Sequence, residues 1–489
     1  MKKFLALTRG LLQKYKDMPL PVKASLWFMV CSVIQKGISF ITTPIFTRLM
    51  TEAQFGEFTL FCTWINIVCI FTTLNLQFGS FNTAQIKFGD NRKAYTSSIQ
   101  TLVTVLTLVA IGLFMGLPTF WESILDMPIL ILVVMLIQIW SQFASGLWMA
   151  NCRFDYRYKG MVAYILTTSL LGQVLGIICV LGAEDKGYAR VLAVAAVEII
   201  AGLGIYVYNL IRGKKLFVKE HWKFALGFNI PLIPYYLSQT IFAASDRIMI
   251  SKLVGKDKAG IYGLAHNIAF LLTFVIAAIR NSYTPWYFRK IQSKEGMEVK
   301  KSSTQLMLAV GAMLLMFVFV APELLLIMGG ETYYEAVWII PPLIAGLLFE
   351  FFTDGAVNIL FYYEKKGMLI LSTIGCAAVN IVLNFFGMRI WGYYVAGYTT
   401  LISYILFWLC LDMSATTVCR KQNLDAKNFL VSGRKFVIGG VFLILTGLCM
   451  LLYLNTYVRY SVLGLIFVVL VILRKKLMGM FKEILAKRK

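Results

Sequence analysis

The chain has 489 residues, 59% of them hydrophobic and only 15% charged, with a mean hydropathy of +0.74. Length alone would suit about three soluble domains, but apolar usage in such domains lies near one half, so this composition excludes them. The formal charge of +23 would suit nucleic acid. Its confinement to alternate short loops instead reports membrane orientation and attraction to anionic lipid, which argues against a nucleic-acid partner.

Residues 1–22 carry Lys2, Lys3 and Arg9 around one brief apolar run and no small-residue cleavage site. They read as a short helix on the cytoplasmic surface, not a removed leader. Apolar stretches of spanning length then follow at 24–49, 55–78, 95–117, 123–150, 161–182, 188–211 and 224–253. The series continues at 261–282, 302–328, 334–362, 368–388, 391–419, 436–454 and 458–473. The predicted fold class is therefore an all-α polytopic membrane protein with about 14 transmembrane helices.

About 36 of the 47 basic residues fall in the termini and in the loops after even-numbered spans, as with Arg212, Lys214, Lys215, Lys219 and Lys223. Acidic residues divide evenly between the two sides, so the basic bias places both termini in the cytoplasm. Trp121, Trp222, Trp286, Trp338 and Trp391 lie near predicted span ends, where amphipathic rings favour the headgroup layer.

The first six spans resemble the next six. The run RLMTEAQFGEF from Arg48 aligns without gaps with KLVGKDKAGIY from Lys252, pairing Gly56 with Gly260 and Phe58 with Tyr262. Lys159-Gly160-Met161 recurs as Lys366-Gly367-Met368, and Gly187-Tyr188 as Gly392-Tyr393. The offset equals six spans, an even number, so the two lobes keep one orientation, with a substrate path expected between them. The domain plan is an interfacial segment at 1–22, an N-lobe at 23–211, a cytoplasmic linker at 212–222 and a C-lobe at 223–419. A loop at 420–435, an appended helix pair at 436–473 and a basic cytoplasmic tail at 474–489 complete it.

Ionisable groups within spans cost about 3 kcal/mol to more than 10, so they normally face a cavity or a partner. Lys36 lies in the first span, the Asp246–Arg247 pair in the seventh and Arg280 near the end of the eighth. Arg48 and Lys252 cap the two repeat-related leading helices on the outer side. A cleft lined by these cations suits an anionic group such as a pyrophosphate, with Lys36, Arg247 and Arg280 as its contacts. The bland alternative is that Lys36 snorkels, or pairs with Asp246 and locks the lobes together.

Glu350 and Asp354, four residues apart, share a helical face. With Asn380, Asn384 and Glu198 they are candidates for H+ or Na+ coupling, although carboxylates can also face neighbouring basic groups and asparagines often serve interhelical hydrogen bonding. Pro44, Pro231 with Pro234, and Pro341 with Pro342 are expected to interrupt spans 1, 7 and 10. The nine cysteines show no metal or disulfide spacing, and His221 and His266 form no cluster. No GxxxxGK[ST] loop is present, so no nucleotide cofactor is expected, and no long outer loop could house a catalytic domain.

At residues 228–272, FNIPLIPYYLSQTIFAASDRIMISKLVGKDKAGIYGLAHNIAFLL resembles the seventh-to-eighth helix signature of the oligosaccharide (O-antigen, Wzx-type) flippases, and GISFITTPIFTRLMTEAQFGEF at 37–58 is similar to their opening signature. The resemblance implies the multidrug/oligosaccharidyl-lipid/polysaccharide exporter (MOP, MATE-like) fold, with two lobes around a cationic cavity that opens alternately to either side. It further implies no enzyme activity but flipping of undecaprenyl-pyrophosphate-linked repeat units across the bacterial inner membrane, for O-antigen lipopolysaccharide or capsule. Membrane lipids, a polysaccharide polymerase and a chain-length regulator would be partners. Rival readings are a lipid II or teichuronic-acid exporter on the same fold, a drug/cation antiporter, and a membrane-embedded polymerase or ligase.

Overall fold

A computed structural model describes residues 18–464, apart from the side chains of Asp90 and Lys366. The expected N-terminal surface helix, the end of the fourteenth span and the basic tail lie outside, or mostly outside, the described residues. All regular structure among the described residues is helical. In chain order the helices are α1 Leu20–Leu49, α2 Glu52–Thr73, α3 Ser80–Lys87, α4 Arg92–Gly116, α5 Pro118–Leu125, α6 Ile129–Phe154, α7 Tyr158–Gly182, α8 Lys186–Gly213 and α9 Lys219–Asn229. They continue as α10 Ile233–Leu253, α11 Lys256–Ala269, α12 Thr273–Ser293, α13 Gly296–Gly329, α14 Ile340–Phe352, α15 Asp354–Tyr362, α16 Lys366–Trp391, α17 Val395–Lys421, α18 Ala426–Leu430 and α19 Ser432–Leu452.

Each of the first thirteen expected spans falls on one of these helices or on a consecutive pair. Among the described residues, eleven stretches are long and apolar enough to cross a membrane, and one of them, Gly367–Lys421, contains two expected spans. The short α3 and α5 are additions that hydropathy does not announce. The protein is a multi-pass membrane protein.

The prolines divide into two kinds. At Pro231 and Pro234 the seventh span breaks, as expected, into α9, a 3-10 turn and α10. Pro341 and Pro342 occupy the first turn of α14, where the missing N–H has no intrahelical partner to lose, so they begin a helix instead of bending one. Against expectation, α1 runs unbroken through Pro44. Arg48 helps there, donating from Nη1 to the Pro44 carbonyl at 2.8 Å, near the helix end where carbonyls need partners.

Residues up to Gly263 form one unit and those from Leu264 a second. In the first, Leu132, Met135 and Leu136 are fully buried beneath Phe114, whose ring stacks on Trp121 at 4.2 Å. A second core gathers Phe81, Tyr95, Ile99 and Phe143. Thr51 and Gln54 close a capping box at the start of α2, satisfying two orphan amide donors. In the second unit, α14 is almost wholly buried, and Phe349 and Phe352 pack on Trp408 of α17.

The aligned repeat has a physical expression in the first unit. Helices α2 and α11 cross with Gly56 against Gly260, so a Cβ on Gly56 would lie 2.1 Å from the Lys256 carbonyl oxygen. A Cβ on Gly260 would lie 2.1 Å from that of Glu52. Residues 52 and 256 are themselves repeat equivalents, so the contact is reciprocal, as at a twofold axis. Only glycine permits that approach. Equivalent helix ends agree: α1 stops at Leu49 and α10 at Leu253, while α4 starts at Arg92 and α13 at Gly296.

Candidate functional site

In the first unit, the break at Pro231 and Pro234 starts α10, which packs on α2 and carries Asp246 and Arg247. The half-buried Arg247 donates from Nη1 to the hydroxyl of fully buried Thr63 at 3.3 Å. Asp246, also buried, accepts from the Tyr262 hydroxyl at 2.7 Å. The adjacent acid and base therefore reach different helices, as their angular separation on a helix requires.

Lys36 is exposed on the middle of α1. Arg48 is likewise exposed and serves its own helix end. Lys252 donates to the Ser123 carbonyl of α5 at 3.4 Å. Beside it, Lys256 lies 3.3 Å from Asp126 and 3.7 Å from Glu57.

A further, buried cation of this unit has no counterpart among the expected site residues. Arg190, near the start of α8, is only 5% exposed, with its guanidinium 3.6 Å from the Phe46 ring centroid and 3.7 Å from that of Phe58. This clamp ties α8 to α1 and α2 through the negative ring faces. Farther along α8, Glu198 accepts hydrogen bonds from Gln138 at 2.7 Å and Gln142 at 2.6 Å, both from α6. Two neutral amides thus hold its charge, one helical turn apart on a single face.

In the second unit, charges inside the spans meet as ion pairs. Arg280 of α12 lies 2.8 Å from Asp354 through Nε and 3.0 Å from Glu350 through Nη1. Glu350 and Asp354 share a face as their spacing predicts, but that face is occupied by Arg280. The arrangement corresponds to the alternative in which the carboxylates meet a basic neighbour. Behind them, the buried Lys435 donates to Asp412 at 2.9 Å, and Ser432 adds a second bond at 2.7 Å. Arg459 and Tyr460 both engage Glu323 of α13.

Asn380 and Asn384 are fully buried. Asn384 donates to Asn380 at 3.1 Å, Asn380 to Ser403 at 3.2 Å, and Thr399 to Asn384, which binds α16 to α17. These bonds are the interhelical role weighed for them.

Among the described residues, no group of three histidine, cysteine or acidic side chains is arranged to hold a metal. Sequence reading passed over Arg190, Asp412, Glu323 and the Gln138–Gln142 pair. The available signal was the same in each case: a polar or ionisable side chain inside an apolar stretch.

These features define a polytopic helical membrane protein with internal duplication and several ionisable side chains held inside its spans. Residues 22–291, more than half of the chain, match the family described as polysaccharide biosynthesis protein, and the chain belongs to that family. It is 22% identical over 392 residues to a protein of the Lsg locus of Haemophilus influenzae, covering 74% of this chain and 91% of that one. Its fold is similar to that of the lipid II flippase MurJ in an inward closed conformation, with a TM-score of 0.64, 14% identity, and coverage of 91% of this chain and 100% of that one. A multidrug resistance MATE family transporter of the MOP superfamily, inward-facing, matches with a TM-score of 0.58 and 13% identity over 81% of this chain and 99% of that one. The chain therefore shares the MOP fold.

Proposed function

We propose that this protein is a flippase that carries a lipid-linked polysaccharide precursor across the bacterial cytoplasmic membrane, and that it performs no covalent chemistry. Membership of the polysaccharide biosynthesis family, on a fold shared with a lipid II flippase, supports this reading. The observation that carries it further is Arg247: a guanidinium inside a membrane bundle, on a helix begun by a proline break, reaching a buried hydroxyl. In low dielectric a cation there attracts a diphosphate far more strongly than in water. Lys36, exposed on α1, is assigned as a further contact. The cargo is assigned as an undecaprenyl-pyrophosphate-linked O-antigen or capsular repeat unit, with its tail kept in the bilayer.

Alternating access is the mechanism that a like-oriented internal duplication supports. Both termini are assigned to the cytoplasm by the loop charge bias. A polymerase and a chain-length regulator on the outer face would consume the product.

The test replaces Arg247 with Ala and with Lys and follows surface polysaccharide in cells at matched expression. The Ala variant is expected to lose most surface glycan and the Lys variant to retain part of it. Undiminished glycan in the Ala variant removes Arg247 from the substrate path.

A further inference from the structure

On the second unit, a groove of about 520 Å³ has Arg280, Phe288, Asp354, Asn358, Phe361 and Glu364 among its lining residues. That volume falls within the roughly 300–1,000 Å³ typical of small-molecule sites. Three properties decide what it fits.

The first is charge. Arg280 already holds Glu350 and Asp354, and Glu364 contributes another carboxylate. The groove therefore has an excess of negative charge and repels a phosphate.

The second is an unmet donor. Asn358 is 5% exposed, and its buried side-chain amide nitrogen has no hydrogen-bond partner among the described residues. Such a group is costly to bury unless something accepts from it.

The third is the walls. Phe361 is exposed, while Phe288 meets Tyr362 edge-on at 5.6 Å, leaving apolar ring surface beside fixed polar atoms. Carboxylate acceptors, amide and guanidinium donors, and aromatic faces together suit a neutral polyol, which accepts and donates around its rim and presents C–H faces.

We infer that this groove binds an uncharged sugar of the cargo's glycan. The inference rests on the lipid-linked glycan reading above. By the loop charge bias, the ends of α12 and α15 face the cytoplasm, the side on which the glycolipid would be captured. Arg280 is then a positioning residue that holds the two carboxylates in place, not a diphosphate ligand.

The test uses full-length protein in nanodiscs and measures binding of bare undecaprenyl pyrophosphate and of the same lipid carrying one glucose, galactose or N-acetylglucosamine. At least one glycosylated lipid is expected to bind about five- to tenfold tighter than the bare lipid, the equivalent of one or two neutral hydrogen bonds. Asn358→Leu should erase that preference. Phe361→Ala, at an exposed position that leaves folding intact, should do the same, and bare-lipid binding should stay within about twofold in both.

Equal binding of all four lipids to the unaltered protein overturns the sugar site and leaves the flippase reading standing. A preference that survives both substitutions, or a loss of bare-lipid binding as large as that of the glycosylated lipid, also overturns it. If no lipid binds the unaltered protein, the flippase reading falls and the sugar site with it.

Discussion

The two units meet the same physical problem, charge inside a membrane bundle, with different chemistry. In the second unit, cation meets carboxylate: Arg280 with Glu350 and Asp354, and Lys435 with Asp412. In the first, the contacts of Arg190 and Arg247 include aromatic faces and a hydroxyl, and the charge of Glu198 is held by two glutamine amides. Ion pairs fix geometry and cancel field. Contacts with neutral groups fix geometry without bringing a counter-charge of their own.

The largest expected effect comes from breaking the closed pair. Asp412→Ala leaves the Lys435 ammonium buried without its carboxylate and should cost about 3–5 kcal/mol of stability, read as unfolding in detergent. The double change Asp412→Leu with Lys435→Met should recover most of that loss, because two apolar side chains need no partner. If the double variant is as unstable as the single one, packing and not charge holds α17 to α19.

A smaller effect is expected at the aromatic clamp. Arg190→Lys keeps the charge but loses the planar group stacked on Phe46 and Phe58, and should cost about 1–2 kcal/mol in the same assay. A loss as large as that of Asp412→Ala would show that more than the two aromatic rings holds Arg190.

The smallest effect concerns pH at a short helix outside the spans. Burial against Phe88 and Tyr95, with ring centroids at 4.8 and 5.1 Å, pushes the His221 imidazole below its ordinary value, while neighbouring Glu220 opposes that shift weakly. A lowered folded value means that stability is complete above the ordinary range near 6.5 and declines as pH falls toward the folded value. Thermal unfolding should therefore come earlier at pH 5 than at pH 7.5, and His221→Phe should flatten the difference. An unchanged pH profile in that variant would place the titration elsewhere.

Much of the architecture was legible because spanning helices follow from local composition. The positions of the spans, the break at Pro231 and Pro234 and the shared face of Glu350 and Asp354 all depend on neighbours in sequence. The Gly56–Gly260 alignment was legible too, but its meaning was not: a shared letter in two loops gave no hint that those backbones touch. Pro44 was misread because a proline constrains a helix without deciding whether neighbouring side chains and packing let it continue.

The sequence by itself determined a multi-pass helical membrane protein, its loop asymmetry and its internal duplication, because hydropathy and charge act through the chain's own neighbourhood. Only the tertiary structure decided which charge meets which: that Arg280 is held by two carboxylates, that Lys435 meets Asp412, that Arg190 rests between two phenylalanines, and that Asn358 is left with a donor to satisfy. Those outcomes are set by side chains brought together from helices tens of residues apart, a geometry that no local pattern encodes.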